Sequence, residues 1–262
     1  MLSTLHSIIL GIVEGITEFL PISSTGHMIL VAHLFKIPDT NALKDFEIVI
    51  QLGAILAVVV LYFKEFFNLE VIKKLIVAFI PTGIIGLTVY KLLKEYLLNN
   101  FLVVIISLFI GGIVMILVEK NYAKKNIVKS SHTNFDIKEV SYKKAFYLGL
   151  WQSIAMIPGV SRSGATIIGG LLMDIKRETI VKFSFLLAVP TMLAATGLDL
   201  IKNYKDISSS EIHSLAIGTI TAFIFALIFI KWLISYVQKH NFVSFGWYRI
   251  IIAVIFALVF FI

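Results

Sequence analysis

Gly11-Ile-Val-Glu14-Gly-Ile-Thr17-Glu18-Phe-Leu-Pro21-Ile-Ser23-Ser24-Thr25-Gly26-His27 begins as an apolar helix and is stopped by a proline. It turns through hydroxyls and glycine, then resumes as an apolar helix. A second stretch does the same: Gly149-Leu-Trp-Gln152-Ser-Ile-Ala-Met156-Ile-Pro158-Gly159-Val-Ser161-Arg162-Ser163-Gly164-Ala-Thr166. In the first, neither arm has the roughly 20 residues needed to cross a bilayer. Two short helices joined by a polar turn predict a re-entrant pair that leaves on the side it entered. Such backbone survives at membrane depth only where protein or water covers it. The acids, the histidine and the arginine in these stretches are expensive in lipid, so each is a functional candidate by default.

The surrounding chain makes the membrane setting plain. Of its 262 residues 58% are hydrophobic and 15% charged, with a mean hydropathy of +0.94. A soluble domain is nearer a quarter charged. The apolar residues run in long blocks without period-two alternation, which excludes a β-barrel and predicts an all-α polytopic membrane protein. There is no cysteine, so disulfides and thiolate metal sites are excluded. The net charge of +7 does not imply nucleic acid, because the lysines lie in loops where they set topology and meet anionic headgroups. The N-terminus lacks the basic region of a cleavable signal.

Six spans are expected: 46–63, 71–90 (with Pro81), 101–118, 183–201 (with Pro190), 212–233 and 245–262. Gly111-Gly112 in the third permits close helix packing. A shift of about 138 positions brings Gly11 onto Gly149, Glu14 onto Gln152, Ser23 onto Ser161, Thr25 onto Ser163 and Gly26 onto Gly164. The expected organisation is therefore two repeats, 1–118 and 145–262, joined by a Lys-rich cytoplasmic linker, 119–144. Each repeat is a re-entrant pair plus three transmembrane helices. An odd number of crossings per half makes the repeat inverted, with its site near the midplane. Most of the 23 Lys and Arg residues, among them Lys64, Lys120, Lys144, Arg177 and Arg249, fall on the linker side. That side is therefore cytoplasmic and both termini are outside. Arg162 alone is left inside the membrane.

Glu14 and Glu18 share a helix face, within about 6 Å. Two such carboxylates share a proton or a cation, and Mg²⁺ or Ca²⁺ suits oxygen ligands. Helix-face acids lining a water-filled vestibule are the plainer alternative. Ser23, Ser24, Thr25 and Gly26 open a helix, where unpaired amides and the dipole favour an anion. Ordinary N-capping would need only one of these hydroxyls. His27 follows one turn on. Arg162, in its own turn with Ser161, Ser163 and Gly164, matches phosphate oxygens. Its alternative is a structural ion pair with Glu18 or Glu47. The set points to phosphoryl chemistry on a lipid-linked phosphate.

Glu14-xxx-Glu18-Phe-Leu-Pro-Ile-Ser-Ser-Thr-Gly-His27, Phe46-Glu-Ile-Val-Ile-Gln-Leu-Gly53 and Pro158-Gly-Val-Ser-Arg-Ser-Gly-Ala-Thr166 resemble the undecaprenyl-diphosphate phosphatase, or bacitracin-resistance, family over essentially the whole chain. The resemblance implies hydrolysis of undecaprenyl diphosphate to undecaprenyl phosphate and inorganic phosphate, which recycles the carrier lipid of peptidoglycan synthesis. It implies a divalent cation, Mg²⁺ or Ca²⁺, held by Glu14 and Glu18. It also implies a multi-pass bacterial plasma-membrane protein with its site open to the extracytoplasmic side. A homodimer stays open. The resemblance leaves both the serine and the histidine open as nucleophile; Ser24 is the expected one, with His27 taking its proton and Glu18 holding the metal or orienting His27. Arg162, with Ser161, Ser163, Gly164 and Thr166, would clamp the diphosphate, and Ser23, Thr25 and Gly26 would bind it from the other side. The rival is a lipid-phosphate transporter or flippase, because inverted repeats with broken helices are also transporter architecture.

Overall fold

A computed structural model describes residues 2–96, 100–125, 136–203 and 211–261. The expected charges at Lys129 and Lys205 lie outside the described residues. Among the described residues the chain forms ten α-helices and no strand. The helices are α1 (Thr4–Thr17), α2 (Ser24–Leu34), α3 (Asn41–Leu61), α4 (Leu69–Tyr96), α5 (Phe101–Lys125), α6 (Tyr142–Ser153), α7 (Arg162–Leu172), α8 (Arg177–Asn203), α9 (Ile212–Val237) and α10 (Val243–Phe261). This is an all-α polytopic membrane protein. Among the described residues α4, α5, α8, α9 and α10 are long and apolar enough to cross. Their outward side chains, such as Leu87, Phe109, Ile224 and Ile251, are exposed apolar groups, as a lipid-facing surface requires.

The sixth expected span, α3, has 21 residues but carries Lys44, Asp45 and Glu47 in its first two turns. Those charges keep it out of the apolar set; its length is sufficient. α5 runs on to Lys125, so the first residues of the expected linker are helical. The 14 residues of α1 and 11 of α2 extend only about 21 and 16 Å, short of a ~30 Å hydrocarbon core. Pro81 and Pro190 both lie inside long helices, α4 and α8. Neighbouring helices make that tolerable in a membrane protein.

Helices pack across the midpoint of the chain more than within either half. α1 lies on α9, α6 on α4, α3 on α8 and α5 on α10. Small residues set the closest approaches. A Cβ on Gly15 would lie 2.5 Å from the Ala222 carbonyl oxygen, and one on Gly149 2.0 Å from that of Ala78. The Gly111-Gly112 pair works as expected, since a Cβ on Gly112 would lie 2.6 Å from the Gly246 oxygen on α10. The helix ends match between halves too. α2 stops at Lys36 (φ 53°) and α7 at Asp174 (φ 55°). Ile37 N–H then donates to Ala32 O, and Ile175 N–H to Gly170 O, the six-to-one bond of a left-handed helix stop.

Candidate active site

The site is built where the two broken stretches meet. Each proline turn delivers its chain through a serine with positive φ: Ser23 at φ 74°, ψ 95° and Ser161 at φ 72°, ψ 118°. Non-glycine residues rarely sit there, at a cost of about 1–3 kcal/mol. In return each serine hydroxyl caps the following helix. Ser23 Oγ accepts from Gly26 N–H at 3.4 Å and Ser161 Oγ from Gly164 N–H at 3.1 Å. The caps answer part of the anion-site expectation, because the Gly26 and Gly164 amides are occupied. The next residue in each turn, Ser24 or Arg162, starts its helix facing back toward α1.

Glu18 receives both. Ser24 Oγ donates to Glu18 Oε2 at 2.5 Å, and Arg162 Nη2 donates to Glu18 Oε1 at 3.1 Å. Of the two partners open to Arg162, Glu18 is the one engaged. Arg162 Nη1 also donates to Ser184 O on α8 at 2.8 Å, and the guanidinium lies over the Phe19 ring at 5.4 Å from its centre. The side chains of Arg162 and Glu18 are only 15% and 7% exposed, so this ion pair acts in a low dielectric, where removing one partner is costly. Glu14 is buried beside it, and its Oε1 has no hydrogen-bond partner. Arg162 Nε and Ser184 Oγ are likewise buried and unsatisfied. Orphans of this kind are rare in a finished core. Three of the four described here sit on residues of this one site.

Other expected residues are placed differently. His27, paired with Ser24 in the sequence reading, points elsewhere: its Nδ1 lies 2.7 Å from Ser23 O and its Nε2 2.8 Å from the Tyr248 hydroxyl, with the two rings stacked. A carbonyl only accepts, so Nδ1 carries a proton and the neutral ring's Nε2 accepts from Tyr248. The hydroxyl of Ser24 meets Glu18 instead. Ser163 Oγ donates to Leu20 O at 2.8 Å, tying one turn to the other. Thr166 bonds back to Arg162 O at 2.9 Å. Thr25 is exposed, outside the buried cluster.

The sequence reading missed two residues. Arg249 was counted among the linker-side charges; it is fully buried. It donates to five backbone oxygens: Pro21, Ser107, Leu108, Gly159 and Val160. Arg162 is thus not the only arginine enclosed among the described helices. Tyr248, its neighbour, holds His27. The available signal was an arginine within the expected span 245–262, at a depth where a charge needs a reason.

As for a metal, among the described residues no group of three or more His, Cys, Asp or Glu is gathered. The residues still fit a Mg²⁺-type site. Such ions are held by one or two carboxylates with substrate phosphates and water completing the shell, and Glu14 offers an unspent buried oxygen beside Glu18.

The chain is similar to known proteins over nearly its whole length. The family described as bacitracin resistance protein BacA matches residues 7–255. "Undecaprenyl-diphosphatase" of Aquifex aeolicus (strain VF5) is 52% identical over 253 residues, covering 96% of each chain. The protein of that name from Persephonella marina (strain DSM 14350 / EX-H1) is 53% identical over 255 residues, covering 97% of this chain and 98% of its own. That from Methanococcus aeolicus (strain ATCC BAA-1280 / DSM 17508 / OCM 812 / Nankai-3) is 45% identical over 249 residues, covering 95% of each. With nearly the whole length matched and half of the residues shared, this chain belongs to the bacitracin resistance protein BacA family.

Proposed function

We propose that this chain is an integral membrane phosphatase that removes the terminal phosphate of undecaprenyl diphosphate and yields undecaprenyl phosphate. The observation that carries this reading is the Glu18 carboxylate holding Ser24 on one side and Arg162 on the other. A site that only bound a lipid phosphate would want the arginine and hydroxyls, without a carboxylate poised on a serine. Ser24 Oγ attacks the terminal phosphorus, its proton passes to Glu18, and the bond to the bridging oxygen breaks so that undecaprenyl phosphate departs. Water then releases phosphate from the serine. Arg162 turns from Glu18 to the phosphoryl oxygens as charge builds on them. His27 acts as a positioning group, keeping the Ser23 carbonyl and hence the turn in place. Glu14 and Glu18 would hold a divalent cation, which when bound neutralises charge on the diphosphate.

Phosphate release from undecaprenyl diphosphate by the purified protein in detergent, with no membrane gradient, tests the reading. Tight binding without release would transfer the site to a lipid-phosphate transporter. Excess chelator is expected to stop release. Glu14→Gln is expected to raise the Mg²⁺ concentration needed for half-maximal rate; unchanged activity in chelator would remove the metal from the scheme. The halves are read as inverted, in a bacterial plasma membrane, with the linker cytoplasmic and the site open outside. In this cysteine-free chain, a cysteine at Ser130 is expected to be shielded from impermeant thiol reagents in intact cells. One at Ser209 is expected to be labelled. The opposite pattern would reverse the orientation.

A further inference from the structure

We propose that Arg249 is a positioning residue for this site, a buried cation that locks the two serine turns against each other. The proposal rests on the phosphatase reading above. Arg249 is 0% exposed and, among the described residues, forms no salt bridge. A buried charge without a counter-ion is expensive unless its donors are all satisfied. Here backbone oxygens do that work. Nη1 lies 3.2 Å from Pro21 O and 2.9 Å from Val160 O, so a single nitrogen joins the first turn to the second. Nη2 lies 3.1 Å from Gly159 O and 3.0 Å from Ser107 O on α5. Pro21 precedes Ser23 by two residues, and Val160 directly precedes Ser161. The strained positions are therefore held at their entry.

The surroundings are shaped for this group. A Cβ on Gly111 would lie 2.2 Å from Nη2, and one on Gly164 3.3 Å from Nη1. An apolar side chain would fill the same volume of α10 without the cost of burying charge. What the guanidinium adds is several donors in a fixed plane, enough to orient carbonyls from three segments at once. Its neighbour Tyr248 reaches His27, so consecutive residues of α10 support both turns. Ser24 and Arg162 keep their relation to Glu18 only while those turns stay in register.

Arg249→Met, Arg249→Lys and Gly111→Ala, which displaces the guanidinium without removing it, are compared with Arg177→Met. Arg177 pairs with buried Glu119 beyond the opposite end of α7 from the Ser161 turn and serves as the control for a lost ion-paired cation. The readouts are melting temperature in detergent, and kcat and KM for undecaprenyl diphosphate well below each melting point. Arg249→Met is expected to lose about 10²-fold in kcat, the scale of an ångström-level misplacement, with KM little changed. Arg249→Lys should recover part of that loss, and Gly111→Ala should lose less. Arg177→Met is expected to melt earlier and keep its kcat. The proposal is overturned if the folded Arg249 and Gly111 variants keep wild-type kcat, or if kcat follows melting temperature alike for Arg177 and Arg249. It is equally overturned if none of the three site variants folds, since Arg249 would then be a folding requirement. A wild-type protein that releases no phosphate would instead sink the phosphatase reading.

Discussion

The Ser23 and Ser161 turns share a backbone and divide the chemistry. Both serines sit near φ 73°, within two degrees of one another, and both cap their helix. Yet the residue that opens the helix is Ser24 in one and Arg162 in the other. The first turn follows a helix bearing Glu14 and ends in Glu18; at the place of Glu14 the second has Gln152. Gln152 is occupied with structure, donating to Thr82 Oγ1 at 3.1 Å. The lesson is that one anion-shaped turn, used twice, brings different groups together: a hydroxyl from one copy and a cation from the other meet on one carboxylate. Neither half holds the site alone.

The sharpest break of this contrast is Glu18→Gln. It removes the charge that both turns converge on and leaves Arg162 buried and unpaired. A kcat loss toward the upper end of about 10²–10⁴-fold is expected, together with about 3–5 kcal/mol of stability. Arg162→Lys keeps the positive side of the contrast but loses the planar fork. It is expected to cost about 10²–10³-fold in kcat with little change in melting. Near wild-type rates for both variants would mean the shared carboxylate is structural.

Gln152→Glu makes the second stretch resemble the first. It gives up the bond to Thr82 and buries an acid without its partner, so a stability loss of about 1–3 kcal/mol is expected, read as an earlier thermal melt with kcat retained. A gain in activity would mean the turns are interchangeable. The smallest effects concern the caps. Ser161→Ala should lose about 1 kcal/mol. Ser23→Gly should be close to neutral, because glycine loses only a few tenths as a cap and adopts positive φ freely. A Ser23→Gly variant that melts as early as Ser161→Ala would show that the Ser23 backbone is not strained.

Much of this was legible beforehand because it is written in short-range terms. Prolines with flanking hydroxyls mark the breaks, apolar runs mark the long helices, and paired glycines mark a place where some helix packs closely. Glu14, Glu18, Ser24 and Arg162 stood out because polar groups in apolar sequence are few. What stayed hidden depends on direction and distance. His27 stands three positions after Ser24, which makes a pair plausible, but a positive-φ serine aims the start of α2 back at Glu18 instead. Arg249 looked like a boundary charge because nothing local reveals that α10 lies against α5, with both turns within reach.

The packing of α1 on α9 also has a consequence for how the molecule is made. Gly11 and Gly15 seat against Gly218 and Ala222, roughly two hundred positions later in the chain. At about 5–20 residues per second of synthesis, α1 waits some tens of seconds for its partner, and α6, by contrast, finds α4 already made. Throughout that interval α1, which carries Glu14, has no α9 to pack its glycines against. The packing beneath the first broken stretch is therefore among the last parts of this protein to form. A chain truncated before α9 would keep Arg162 but leave the glycine face of α1 without its partner.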